Sequence, residues 1–181
     1  MKTPFLIGEK VYLRVLERED APVLKAYIND PDVNRTLMVY RPLGLESVEK
    51  FIATPGTNEN EICLGIALRE NDRLIGATDL HLRAPKDRHA LFGISIGAKD
   101  EWNKGYGTEA TRLIVDYGFQ TLNLNRISLR VYEYNPRAVR TYEKVGFKRE
   151  GVLRQEVYRE GRYWDAYAMG MLRTEWDALR K

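Results

Sequence analysis

Two short segments hold the residue types from which chemistry could be built. In "NKGYGTEA", Gly105 and Gly107 lie between an apolar run and an amphipathic one. Glycine amides can approach an anion closely, and the N-terminus of a following helix attracts the same charge, so the loop suits a diphosphate. Glycine pairs also serve plain turns into helices, and spacing alone leaves both readings open. Two familiar phosphate motifs are excluded. No third glycine completes G-x-G-x-x-G after Gly107, and no Gly-Lys-Ser/Thr ending is present to hold magnesium. In "YNPRAVRTYEKVGF", Asn135 stands at a helix start and Tyr142, seven residues on, returns to the same face two turns later. Both could face one cleft, although Asn before Pro is an ordinary cap and helical tyrosines commonly pack.

The remaining reactive side chains argue mainly by exclusion. Cys63 is the single cysteine and sits inside "ICLGIAL", so it forms no internal disulfide and reads as a buried structural thiol. His81 and His89 have no partners at metal-ligand spacing, and no metal is expected. The 29 basic and 26 acidic residues are mixed along the chain with no dense basic block, which argues against nucleic acid. "RYWDAY" with scattered arginines lacks the aromatic motif of an RNA-binding sheet. With 181 residues, 44% hydrophobic and 30% charged, the composition fits one globular domain, residues 1–181. No apolar stretch approaches the roughly 20 residues of a membrane span, and "MKTPFLIGEK" has no long apolar signal region. A cytoplasmic protein without membrane partners is expected.

The elements that must position these residues follow from periodicity. "KVYLRVLE" alternates Val11, Leu13 and Val15 as an opening strand. A helix follows with Asp20 at the N-cap position and Pro22 in its first turn, stopped by Pro31, and a shorter helix starts near Ser47. "EICLGIAL" and "RLIGATDLHL" form a hairpin around Asn71 and Asp72, and "HALFGISIG" is a further strand. Ala110, Leu113, Ile114 and Tyr117 recur at helical spacing behind the glycine loop. "NRISLRVYEYN" is a strand, "NPRAVRTYEKVGF" a helix ended by Gly146, and "KREGVLRQEVY" with "RYWDAYAMGML" a closing hairpin. The order describes an α/β (α+β) domain with seven strands, mainly antiparallel, and four helices.

"WNKGYGTEA" followed by "NPRAVRTYEKVGF" resembles the GNAT superfamily of acetyl-CoA-dependent N-acetyltransferases, over nearly the whole chain. Within it the chain is most similar to the branch with ribosomal-protein alanine and spermidine acetyltransferases. The resemblance implies a mixed sheet splayed at the coenzyme site. It puts the family's phosphate loop on Trp102 to Gly107, with Trp102 where the family usually has Gln or Arg, and the diphosphate on the amides of Asn103, Lys104, Gly105, Tyr106, Gly107 and Thr108. By the same resemblance Ile94 and Ile96 pair their backbone with the pantetheine arm, Asn135 hydrogen-bonds it, Ala138 keeps the helix close, and Arg137 or Arg140 reaches the phosphates.

The reaction so implied is direct attack of a primary amine on the thioester of acetyl-CoA, the cosubstrate, through a ternary complex. A strand amide near Ile94 would stabilise the oxyanion. Tyr142 matches the family's general acid, and a tyrosine hydroxyl titrating near pH 10 in model peptides keeps a proton to give the thiolate. The acceptor ammonium must lose its proton. Where some relatives carry Glu on the strand before the loop this chain has Leu91, so Asp79, on the same strand face as His81, is the candidate base. The acceptor stays open between a protein N-terminal amine, a polyamine and another small amine. Asp30 and Asp32 could attract a polyamine or simply end a helix, and Tyr40 and Tyr163 are candidate pocket walls. Exposed strands of the closing hairpin could pair copies into a homodimer. The alternative is a coenzyme-A-binding regulatory module without turnover.

Overall fold

The computed structural model describes residues 2–53 and 58–180. They divide into two units, one running as far as His81 and resuming over Gly93–Ile114, the other Leu82–Phe92 with the residues from Val115 onward. Strand β5 (His89–Ile96) and helix α4 (Tyr106–Gln120) each contribute residues to both.

In the first unit β1 (Leu6–Ile7), β2 (Val11–Val15), β3 (Glu61–Leu68) and β4 (Leu74–Leu82) run side by side, each antiparallel to the one before. The end of β5 follows β4, so β4 is an inner strand. Strand β2 is buried on both faces, because Tyr12 and Arg14 are as enclosed as Val11 and Leu13. Three helices cover the unit: α1 (Ala21–Asn29), α2 (Pro31–Asn34) and α3 (Leu45–Ala53). Leu16, Ala21, Leu24, Val48, Cys63 and Leu74 pack into one cluster beneath them, with Tyr27, Leu43 and Ile52 at its margin. Each large apolar side chain so enclosed contributes about 1.5–3 kcal/mol.

Two local expectations resolve differently in this unit. Asp20 occupies the N-cap position of α1 but makes no side-chain cap there, since its carboxylate turns to Arg14. Pro31 follows the end of α1 at Asn29 and also opens α2, whose amides at Asp32 and Val33 donate to the Asp30 side chain. A proline is as good a first helical residue as it is a stop.

In the second unit the start of β5 pairs in parallel with β6 (Arg126–Tyr132), and β8 (Arg162–Leu172) lies antiparallel between β6 and β7 (Lys148–Arg159). Helix α5 (Pro136–Val145) ends at Gly146, which takes the left-handed conformation with φ +118°. The short helix α6 (Arg173–Ala178) was not expected. Its Glu175 accepts from the Leu172 amide at 2.9 Å, and Trp176 stacks on Phe119 and donates to Asp116 at 2.6 Å. Eight strands and six helices therefore replace the expected seven and four among the described residues. The additions, β1, α2 and α6, are two to six residues long, too short for a periodic signal. The mixed α/β class stands.

Candidate active site

The chain leaves β5 through a single turn at Lys99–Glu101 and enters α4 at Tyr106. Between them Asn103 and Gly105 hold positive φ, +65° and +91°. Gly105 is required by that backbone conformation. Gly107 is not: its φ is ordinary, and a methyl group there would meet Ile96 Cγ1 at 3.6 Å, a normal contact. Glycine in a helix costs up to about 1 kcal/mol relative to alanine. The fold gains nothing from a bare Gly107, whereas a ligand approaching the backbone does. The first helical bond enters from Glu109 N to Gly105 O at 3.1 Å, and the amides of Tyr106, Gly107 and Thr108 precede it, where helix geometry supplies no internal acceptor.

The loop is held from two sides. Trp102 Nε1 donates to Ile96 O at 2.7 Å, so the tryptophan that stands in place of a Gln or Arg ties the loop to its strand. The Ile96 carbonyl keeps its second lone pair. On the other side Arg73 grips Asp100 with two hydrogen bonds of 2.6 and 2.9 Å and reaches Glu101 at 3.2 Å. The buried Glu101 carboxylate also binds Lys104 Nζ at 2.8 Å. That hydrogen bond raises the Lys104 pKa, and the ammonium is engaged with Glu101. Arg73 and Glu101 carried no recognisable sequence signal.

Asp79 and His81 share one face of β4 as their alternation predicts, with His81 Nε2 3.0 Å from Asp79 Oδ1. The Asp79 carboxylate lies over Gly93 of β5, where a methyl group would come within 2.7 Å of both its oxygens. Ile94 is the next residue. Glu61, which sequence reasoning missed, stands directly opposite His81 in the β3–β4 pairing, its Oε1 3.4 Å from His81 Nδ1. Cys63 stands opposite Asp79, and burial, then the charges of Asp79 and Glu61, push its thiol up to about 12. A thiol held protonated in this way is no nucleophile. Among the described residues no group of His, Cys, Asp and Glu could hold a metal ion.

Asp30 and Asp32, candidates for attracting a polyamine, both bind Lys99 Nζ at 2.8 Å. The hydrogen bonds that Lys99 donates to these two carboxylates raise its pKa to about 12, so one cation already sits on the pair. Tyr40 and Tyr163 are exposed.

The other candidates stand on α5 in the second unit. Asn135 caps the helix, its Oδ1 accepting from Ala138 N at 3.2 Å, which leaves the amide NH₂ as the donor group for a ligand. Arg137 is half-buried and burial lowers its pKa, whereas Arg140 is exposed. Tyr142 is 7% exposed, with Phe92 edge-on at 5.9 Å and Phe147 at 6.1 Å between ring centres. Two aromatic neighbours therefore fix its ring.

The strand, glycine loop and helix just described coincide with a match to the family model for the acetyltransferase (GNAT) domain across residues 10–148. The chain belongs to the GNAT acetyltransferase family. This GNAT chain is 30% identical over 178 residues to the uncharacterized N-acetyltransferase p20 of Bacillus licheniformis, covering 94% of this chain and 97% of that one. It is also 30% identical over 173 residues to a spermidine N(1)-acetyltransferase of Vibrio cholerae serotype O1, covering 94% and 97%. The structure of the Vibrio cholerae spermidine N-acetyltransferase in complex with CoA and spermine superposes with a TM-score of 0.86 at 28% identity, over 93% of this chain and 99% of that one. The GNAT chain is accordingly an N-acetyltransferase that uses acetyl-CoA. No helix among the described residues is long and apolar enough to cross a membrane.

Proposed function

We propose that this chain transfers acetyl from acetyl-CoA to a small primary amine by direct attack in a ternary complex, with spermidine the first acceptor to test. The amides of Asn103 to Thr108 bind the diphosphate, helped by the positive end of α4. The backbone of Ile94 and Ile96 pairs with pantetheine, and Asn135 donates to it. Ala138 admits the coenzyme near α5, with Arg137 and Arg140 toward its phosphates. Asp79 removes the proton from the acceptor ammonium, and Tyr142 protonates the leaving thiolate. A relative named for spermidine supports an aliphatic amine, although Lys99 on Asp30 and Asp32 means that those two carboxylates are not a vacant polyamine seat here. Self-association fits the outermost position of β7 in its unit and the dodecameric structure of the Vibrio cholerae enzyme.

The observation that carries this reading is Gly107, a glycine for which the fold itself has no need. Gly107→Ala should leave the melting temperature equal or raised, because alanine is the better helix residue. Its methyl group should weaken acetyl-CoA binding about tenfold or more by displacing one charge-assisted amide contact. Calorimetry with acetyl-CoA measures both quantities on one sample. Unchanged affinity in a folded variant would remove the diphosphate from this loop.

A further inference from the structure

We propose that His81, held between Asp79 and Glu61, is the group on which the acceptor amine's proton comes to rest, Asp79 taking it from the ammonium and His81 receiving it. The inference deepens the assignment of Asp79 as base and rests on it.

The geometry is that of a relay. Antiparallel pairing sets Glu61 opposite His81 and Cys63 opposite Asp79, so the four side chains share one face of two neighbouring strands. Each ring nitrogen of His81 meets a carboxylate: Nε2 meets Asp79 Oδ1 at 3.0 Å and Nδ1 meets Glu61 Oε1 at 3.4 Å. Once Asp79 carries the ammonium's proton, its O–H faces Nε2 at 3.0 Å and Glu61 holds the ring's own proton on Nδ1, which leaves the Nε2 lone pair to accept. Asp79 lies against Gly93, one residue before Ile94 on the strand assigned to the thioester. The side chains of His81 and Asp79 are 46% and 27% exposed, so a proton placed on the ring can pass to water. The charges that act on the ring come from Asp79 on its own strand and Glu61 on β3. Cys63 stays neutral, with its thiol at about 12, and β5 presents the uncharged Gly93.

The step balances. One N–H bond of the alkylammonium breaks, its electron pair stays on nitrogen as the attacking lone pair, and the proton goes to the Asp79 carboxylate. Asp79 gives a proton through Oδ1 to His81 Nε2 and is a carboxylate again, while His81 becomes imidazolium. The relay works only when His81 starts neutral. Its hydrogen bond to Asp79 raises its pKa, burial opposes this, and the charges of Asp79 and Glu61 add to the rise. The apparent value belongs to the cluster and lies above the ordinary 6.5 or so of histidine. Activity should therefore climb as pH rises through it. The fold responds in the opposite sense: the stabilisation from protonated His81 is fully present below about pH 6.5 and is lost as pH rises through the folded value.

The test is kcat/KM against pH, from about pH 5.5 to 9.5 to bracket histidine titration, for the parent chain, Asp79→Asn, His81→Gln and Glu61→Gln. Spermidine and a simple alkylamine serve as acceptors, with coenzyme A thiol release as the signal. Glu61→Gln should move the acid limb down by about 0.7 pH unit, the effect of one charge about 4 Å away in water. His81→Gln should erase that limb and lower the plateau about 100-fold, within the range for a proton-transfer group. A parental acid limb in both variants, with Asp79→Asn inactive, overturns the relay and leaves Asp79 as base. Full activity in Asp79→Asn removes the base assignment and the relay with it. If His81→Gln does not melt cooperatively, Glu61→Gln decides alone, since it keeps shape and changes only charge.

Discussion

Replacing Tyr142 by phenylalanine is expected to lower kcat by about 10²–10⁴-fold near neutral pH, the range for loss of a general acid. The melting temperature should stay within about 2 °C of the parent, because a change of a few tenths of a kcal/mol moves a domain of this size only slightly. Both halves follow from the same environment. Phe92 and Phe147 hold the ring by its apolar surface, and phenylalanine preserves that packing while removing the hydroxyl. The proposed role is late in the reaction, when the tetrahedral intermediate collapses and sulfur departs with the electron pair of its bond to carbon. A free thiol binds its proton below about pH 8.5, so the deficit should be largest there and shrink at higher pH, where the thiolate is itself a stable leaving group. KM for acetyl-CoA should change little. Steady-state rates from pH 6 to about 10 check the assignment. A large loss of stability with unchanged kcat would make Tyr142 a packing residue, and a pH-independent deficit would give its hydroxyl some task other than donating a proton.

What the sequence reveals of this site is local. Asn135 with Pro136 and Gly146 marks both ends of α5, because cap, fixed φ and left-handed stop are properties of single residues. The glycine loop is legible for the same reason. Residues that act through tertiary partners are not. Glu101 and Arg73 support the loop from segments with no shared motif. Helix α6 is held by the stacking of Trp176 on Phe119, which local propensity does not register. Glu61 is concealed by a register shift. Counting back from the turn, where Leu68 N bonds Arg73 O and Ala67 faces Leu74, would place Glu61 opposite Leu80. The irregularity between Ile66 and Ala67 moves every later pair by one, so Glu61 meets His81 and the acid lands on the histidine's face. The relay thus depends on a bulge that alternation alone does not disclose.

Asp20 shows the same limit with the largest consequence for stability. A helix-capping aspartate replaced by alanine costs about 1 kcal/mol, but Asp20→Ala is expected to cost about 3–5 kcal/mol, because it strands a buried guanidinium. Arg14 is 2% exposed and Asp20 7%, and they meet in a two-pronged pair, Nη1 to Oδ2 at 2.7 Å and Nη2 to Oδ1 at 2.8 Å. The Glu17 amide donates to the same carboxylate at 2.9 Å, and Lys2 Nζ lies 3.5 Å away. Arg14 Nε is buried without a hydrogen-bond partner, so this cation depends on Asp20 for most of its compensation. Burial alone would push the Asp20 carboxyl up, but the Arg14 hydrogen bond, the Glu17 amide and the nearby positive charges outweigh it and hold it below its usual value. A depressed folded pKa contributes stability that is fully present above the unfolded value, near 3.9, and is lost as pH falls through the folded value. Denaturant midpoints at pH 7 should therefore drop sharply in Asp20→Ala. The difference from the parent should narrow as the pH falls below about 3.9, where protonation weakens the parent's own pair. Replacing both partners, Arg14→Met with Asp20→Leu, should recover most of the loss, since a packed apolar pair replaces buried ions at little cost. If the single and double variants were equally destabilised, the pair would be a matter of shape rather than charge.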